Sequence, residues 1–121
     1  MREIKFRAYD YDNKRFEYDV QYNYDYELGS SFLDILEDNH FAVEQYTGIK
    51  DINGVEIYEG DLILAKSIEY EVEWFNTSFW VIPYSGVGSS QLISNLYEYD
   101  GNNVENVEVI GNIHEDETLF H

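Results

Sequence analysis

The chain has 121 residues, no cysteine and a formal net charge of −18, and 44 % of its residues are apolar. That length allows one modest core, the apolar content excludes wholesale disorder, and the lack of cysteine excludes disulfides and thiolate zinc sites. All seven Lys and Arg lie at or before Lys66, and ten Asp or Glu follow it. Binding to a nucleic-acid backbone is therefore disfavoured, because its affinity comes from basic residues that neutralise phosphates.

Two segments at the start of the chain alternate between apolar and polar residues. Ile4, Phe6 and Ala8 face one way in the first segment, and a polar turn at 10–14 follows. The apolar face of the second segment carries Phe16, Tyr18, Val20, Tyr22, Tyr24 and Tyr26. Alternation with period two is typical of half-buried strands, so we predict a β-hairpin. Because the second strand would be about 36 Å long, we expect its far end to bend or leave the core.

A short helix is predicted from Phe32 to about Asn39. Ser31 stands at the position of a helix cap, and Phe32, Leu33 and Leu36 share one helical face. We expect that face to be buried. A strand is predicted next, at 41–46.

The rest of the chain has the pattern of short strands separated by turns. Asn53-Gly54 predicts a tight turn, since both residues tolerate positive φ. Pro83 indicates a strand end or an edge, and Val107 and Val109 are expected to point inward. The predicted elements are strands at 55–58, 62–66, 70–75, 79–84 and 104–110, a turn at 59–61 and a helical turn at 91–96. This spacing is typical of a small barrel or roll.

No pattern typical of catalysis or ligand binding is found. Gly54 and Gly60 lack the lysine of a phosphate-binding loop, and no Gly-x-Ser-x-Gly nucleophile turn occurs. A calcium loop starting at Asp10 fails, because Lys14 and Arg15 stand where a ligand and the turn glycine belong. The three histidines are scattered. We therefore expect no enzyme activity, no catalytic residues, no cofactor and no metal site.

The alternating tyrosines Tyr22, Tyr24 and Tyr26 have two interpretations. They form either an aromatic face packed within the chain or a contact surface for a protein, since tyrosine supplies a large amphipathic area. A stacking platform for single-stranded nucleic acid is disfavoured, because acidic residues alternate with these tyrosines.

Three stretches of the sequence together resemble the YopX family of phage and prophage proteins. They are Lys5-Phe6-Arg7-Ala8-Tyr9-Asp10, the segment from Gln45 to Asp61 (QYTGIKDINGVEIYEGD), and Val109-Ile110-Gly111-Asn112-Ile113-His114-Glu115. The family usually has tryptophan where Tyr9 stands. The resemblance implies a mostly β roll with SH3-like barrel character and a phage setting, and it implies no catalytic residues or ligand.

The residues of the central stretch have two readings. In the structural one, Gly48, Gly54 and Gly60 fit turns, Asp61 bonds backbone amides at a strand start, and the core takes Tyr46, Ile57 and Ile63. In the functional one, the stretch provides a shared binding surface. Its residues would be Thr47, Lys50, Asp51, Tyr58 and Glu59.

We expect one domain over 1–121, mainly β with a short helix. An N-terminal hairpin and helix would occupy about 1–40, and an SH3-like barrel or roll about 41–121. No apolar run is long enough to span a bilayer and no signal peptide is apparent, so we expect a protein of the host bacterial cytoplasm that does not bind membranes.

Our leading hypothesis for function is a non-enzymatic phage accessory protein that acts by protein–protein contacts, including contacts with further copies of itself. The alternative is an acidic DNA mimic that inhibits a host nucleic-acid-binding protein. A third hypothesis is weak nucleic-acid binding through the basic residues of the hairpin, Arg2, Lys5, Arg7, Lys14 and Arg15.

Overall fold

A computed structural model describes residues 3–22, 32–84, 88–96, 99–100, 103–104 and 106–115. The chain is mainly β with one short α-helix, which confirms the predicted fold class. It forms two compact units, Met1–Tyr46 and Thr47–His121. The single domain and its division near residue 40 stay predictions.

The first unit is built on a β-hairpin. Strands β1 (Phe6–Asp10) and β2 (Arg15–Tyr18) pair antiparallel, and β1 also pairs antiparallel with the first part of the third strand. A 3₁₀-helix at Val20–Tyr22 and helix α1 (Phe32–Glu37) lie between them in the chain. The buried residues Ala8, Val20 and Ile35 form its core, with Phe6, Phe32, Phe41 and Val43 packed against them.

The predicted long tyrosine strand is wrong beyond Tyr18. Asp19 has a φ of +56°, which takes the chain out of the extended conformation, and the 3₁₀-helix follows at once. Val20 is 1 % exposed, whereas Tyr18 and Tyr22 are 56 % and 66 % exposed. These side chains therefore do not share one face. Tyr24 and Tyr26 lie outside the described residues.

The predicted helix is confirmed, but its buried face is different. Ile35 is the buried residue of α1 and Phe32 packs beside it, while Leu33 and Leu36 are exposed. A helix of six residues has fewer than two turns, so one inward side chain in its middle, flanked by one at its start, is enough to attach it.

Strand β3 (Phe41–Lys50) begins in the first unit and ends in the second. The second unit also contains β4 (Glu56–Tyr58), β5 (Asp61–Ala65), β6 (Ile68–Phe75), β7 (Ser78–Pro83), β8 (Gln91–Leu92), β9 (Tyr99–Asp100), β10 (Asn103–Val104) and β11 (Val107–Asn112). Five of these strands form an antiparallel sheet in the order β11-β5-β6-β7-β8. The SH3-like description is compatible with these pairings and stays a prediction.

The core of the second unit lies on one face of this sheet. Val72 and Val81 are directly opposite each other on β6 and β7, and both are fully buried. Ile57, Ile63 and Val107 pack into the same cluster, with Val109 partly buried against it. The predicted core positions Tyr46, Ile57 and Ile63 and the inward valines of the last strand are thus confirmed.

Two details of the predicted elements change. The helical turn predicted at 91–96 is the strand β8 followed by a 3₁₀-helix at Ile93–Leu96. The last strand begins at Val107 rather than at 104, and the short strands β9 and β10 were not predicted. Pro83 ends β7, as expected for a residue without an amide donor.

Candidate interaction surface

The central motif is first of all a structural device. Asp51 is fully buried, and its Oδ1 accepts hydrogen bonds from the amides of Asn53 and Val55, each at 2.8 Å. Its Oδ2 accepts a third from the amide of Val109 on β11, also at 2.8 Å. The carboxylate therefore closes the turn at Asn53-Gly54 and attaches it to the edge of the five-stranded sheet. Its charge is satisfied by backbone donors.

A second buried carboxylate organises the next turn. Asp61 accepts a hydrogen bond from the amide of Tyr58 at 2.8 Å, and Gly60 takes a φ of +85° between them. This confirms the structural role predicted for Asp61. Thr47 is also used internally, because its hydroxyl donates to the carbonyl of Ile57 at 2.7 Å.

The binding surface predicted from this motif is consequently much reduced. Asp51 and Tyr58 are buried and offer no side chain to a partner, because the fold itself uses them. Lys50 is exposed and Glu59 is half-buried. Tyr22 is exposed in the first unit. A binding role for these last three residues stays a prediction.

The basic residues of the N-terminal hairpin are not equally available. Arg7 is buried, donates from Nε to Oε1 of Glu44 at 2.9 Å, and places its guanidinium carbon 4.2 Å from the ring centroid of Phe16. Lys14 and Arg15 are exposed, and Arg2 lies outside the described residues. The hairpin therefore does not present all of its predicted cations on a surface.

The largest exposed aromatic side chains of the described second unit lie at the end of the β6–β7 hairpin. Trp74 is 46 % and Phe75 58 % exposed. Trp74 makes an edge contact with Phe79, with ring centroids 4.8 Å apart, and Phe75 makes one with Trp80 at 6.1 Å. The Trp80 indole also donates from Nε1 to the carbonyl of Phe75 at 2.9 Å. We call these four residues the aromatic hairpin end.

The two faces of this hairpin carry different side chains. Tyr70 and Val72 alternate inward along β6, whereas Glu69, Glu71 and Glu73 alternate outward. Phe75 continues the glutamate row, and Trp80 stands opposite Glu73 on β7. The outward face therefore combines a row of carboxylates with a pair of aromatic rings.

The charge of the sequence changes abruptly at this place. No charged residue occurs from Trp74 to Tyr97, although the whole chain carries −18. The sequence-based prediction treated 79–84 as a strand covered on both faces, and the structure shows Val81 and Pro83 buried but Phe79 and Trp80 only half-buried. Aromatic residues just before and just after a two-residue turn were the signal that both faces of a hairpin end carry rings.

Two negative findings apply to the described part of the chain. None of its Asp, Glu or His side chains form a group of three or more placed to hold a metal ion. No helix in it is both long and apolar enough to cross a membrane.

Comparison with known proteins gives a family and a fold. A sequence model described as YopX protein matches residues 5–121, whereas no curated protein sequence matches the chain. A solved structure titled "Crystal structure of protein EF1440 from Enterococcus faecalis" is similar, with a TM-score of 0.61, 22 % identity and 100 % of each chain covered. That structure supports the fold, and the match over nearly the whole sequence shows that the chain belongs to the YopX family.

Proposed function

We propose that this YopX-family protein works by binding another protein rather than by catalysis, and that the aromatic hairpin end is the contact. The observation that carries the proposal is the exposure of Trp74 and Phe75 beside two further aromatic rings. Grouped exposed aromatic side chains mark interaction sites on soluble domains, and aromatic residues are enriched in protein interfaces relative to the remaining surface.

Electrostatics supports the same place. Like-charge repulsion disfavours contact between this acidic chain and most cellular proteins, and it is weakest where charges are absent. The segment from Trp74 to Tyr97 has no charged residue. A partner that docks on the hairpin end therefore meets apolar area without desolvating a carboxylate at the centre of the contact.

The biological setting belongs to the same proposal. The resemblance of the three sequence stretches to phage and prophage proteins supports an accessory role in the cytoplasm of a bacterial host. The absence of cysteine suits a reducing compartment. A second copy of the chain is one candidate partner, and the aromatic hairpin end would then be a homo-oligomer interface.

The two nucleic-acid hypotheses have less support. A DNA mimic needs carboxylates in two rows that imitate the two phosphate backbones, and among the described strands only β6 has acidic residues at alternating positions. Direct binding through the N-terminal hairpin would lack Arg7, whose guanidinium is buried against Glu44 and Phe16. Binding through the aromatic hairpin end remains the better-supported function.

Affinity capture from host cells with three tagged proteins tests the proposal. They are the wild type, Phe75→Ser, and the control Leu33→Ser, which removes an exposed apolar side chain of α1. We expect one or more partners that the wild type and Leu33→Ser retain and Phe75→Ser loses, with thermal melting to show that all three are folded. Partners retained equally by Phe75→Ser would contradict the proposal. So would the absence of any partner together with a monomer in light scattering at high concentration.

A further inference from the structure

The outward face of β6 places carboxylates and aromatic rings at regular intervals. Glu69, Glu71 and Glu73 occupy alternate positions, so their Cα atoms are about 7 Å apart along the strand. Phe75 continues the row at the next outward position. The four positions form one straight line of three acids and one ring.

A second ring lies beside the last acid. Trp80 is directly opposite Glu73 in the β6–β7 pairing, and side chains in such a pair have Cβ atoms about 5 Å apart. The Trp80 and Phe75 rings are in edge contact, with centroids 6.1 Å apart. Glu73 is therefore flanked by two aromatic side chains, one along the strand and one across it.

This face has no cation of its own to balance it. Strands β6, β7 and β8 contain no Lys or Arg. Among the described residues none forms an ion pair with the exposed Glu69 or Glu73. A partner that supplies positive charge would gain Coulomb energy here without breaking an internal pair.

A carboxylate next to an aromatic ring is a favourable arrangement for a guanidinium group. Arginine donates paired hydrogen bonds to a carboxylate in its plane and stacks its face on an aromatic ring. Within this same protein Arg7 already combines the two contacts, with Glu44 on one side and the Phe16 ring on the other. Lysine at the neighbouring positions would satisfy Glu69 and Glu71 as a point charge.

We propose that the outward face of β6, together with Phe75 and Trp80, binds an extended segment of a partner protein that carries Arg or Lys at alternate positions. Side chains on one face of an extended chain repeat at about 7 Å, which matches the spacing of the three glutamates. This inference rests on the proposed function and names the chemistry of the partner. A second copy of the chain is disfavoured as the occupant, because each copy carries −18.

Fluorescence anisotropy with synthetic peptides provides the test. The probe is a short labelled peptide in which arginine alternates with serine, and the comparison peptides have the same composition with contiguous arginines, or glutamate in place of arginine. The protein is used as the wild type, as Glu69→Gln/Glu73→Gln, as Phe75→Ser and as the control Asp12→Asn/Glu37→Gln. The control removes the same two charges from exposed positions of the first unit, so long-range electrostatics changes equally.

We expect the alternating peptide to bind the wild type more tightly than the contiguous one and the acidic peptide not to bind. Glu69→Gln/Glu73→Gln should weaken binding by about fivefold, as for two exposed ion pairs. Phe75→Ser should weaken it by about threefold, as for one exposed cation–π contact. The control should change it by less than about twofold, because distant exposed charges are screened.

Equal weakening by the glutamate variant and the charge-matched control would overturn the inference, because binding would then depend on net charge alone. Equal affinity for the alternating and contiguous peptides would overturn the predicted register. A captured partner that needs Phe75 but tolerates Glu69→Gln/Glu73→Gln would also overturn the inference and leave the proposed function standing. Loss of oligomers with Phe75→Ser and no peptide binding would make a second copy the occupant instead.

Discussion

The carboxylate of Asp51 accepts a hydrogen bond from the backbone amide of Val109, with 2.8 Å between Oδ2 and N, although the two residues are 58 positions apart. The same side chain holds the amides of Asn53 and Val55 through its other oxygen. Nearby, the amide of Ile52 donates to the carbonyl of Val107 at 2.9 Å. The turn thus binds the outer edge of β11 partly through backbone and partly through one carboxylate.

Replacing Asp51 with Asn should destabilise the protein by about 2–3 kcal/mol, since an amide group has one acceptor oxygen and its NH₂ would face the Val109 amide, donor against donor. Urea unfolding gives the free energy of unfolding. Asp12→Asn, which neutralises an exposed carboxylate, is the control and should stay within about 0.5 kcal/mol. Equal unfolding midpoints for the two variants would show that the three hydrogen bonds contribute little.

The buried ion pair of Arg7 and Glu44 predicts strong coupling. Glu44→Gln or Arg7→Met alone should lower the free energy of unfolding by about 3 kcal/mol, because each leaves its buried charged partner poorly compensated. The double variant should lose clearly less than the sum. A double-mutant cycle in urea measures the coupling energy. Strictly additive losses would mean that the two side chains stabilise the fold independently.

The turn between β6 and β7 offers a stabilising substitution. Asn76 and Thr77 have φ values of +47° and +61°, and a β-branched residue is strained there. Thr77→Gly creates the Asn-Gly pair favoured in two-residue hairpins and should stabilise the protein by about 0.5–1 kcal/mol. Thermal melting would show the gain as a higher midpoint.

Gly54→Ala is the converse experiment. A Cβ at Gly54 would meet no atom within 4 Å, so the φ of +80° is the only obstacle. We expect a loss of about 1 kcal/mol from backbone strain alone. If Thr77→Gly destabilised the protein and Gly54→Ala were neutral, positive φ would not be the property that these turns require.

Acid should weaken the first hairpin through Asp10. Hydrogen bonds from the Asn13 side chain, then from the amides of Asn13 and Asp12, hold the pKa of Asp10 below its ordinary value. A folded-state pKa below the unfolded one gives stability that is full above the unfolded value, about 3.9, and is lost as pH falls through the folded value. An NMR titration of the Asp10 carboxyl should show a rise toward the ordinary pKa in Asn13→Ala. An unchanged pKa in that variant would assign the shift to another cause.

The sequence allowed the elements of the second unit to be predicted well, because its strands are short and its turns carry strong signals. Asn53-Gly54 and the alternation of β6 correspond closely to the structure. The alternation beyond Tyr18 was misleading, because apolar spacing does not report the positive φ at Asp19 that ends β2. Helix α1 was misjudged for a related reason, since a helix this short has no single face that spacing alone identifies.

The candidate surface was harder to predict than the fold. Asp51 had the polarity of a surface residue, and only its long-range contact with Val109 shows that it is buried. Conversely, Trp74 and Phe75 had the composition of core residues. Their exposure depends on where the neighbouring strands stop, and that is a property of the sheet topology rather than of local sequence.

Mapping of amide chemical shifts during a titration with the alternating arginine peptide tests the central claim most directly. If the outward face of β6 and the aromatic hairpin end form the binding surface, the largest shifts should fall within residues 69–75 and 78–82. The amides of α1 and of the turn at Asp51 should stay nearly unchanged. Shifts concentrated at those two places, or spread evenly over the chain, would contradict this account.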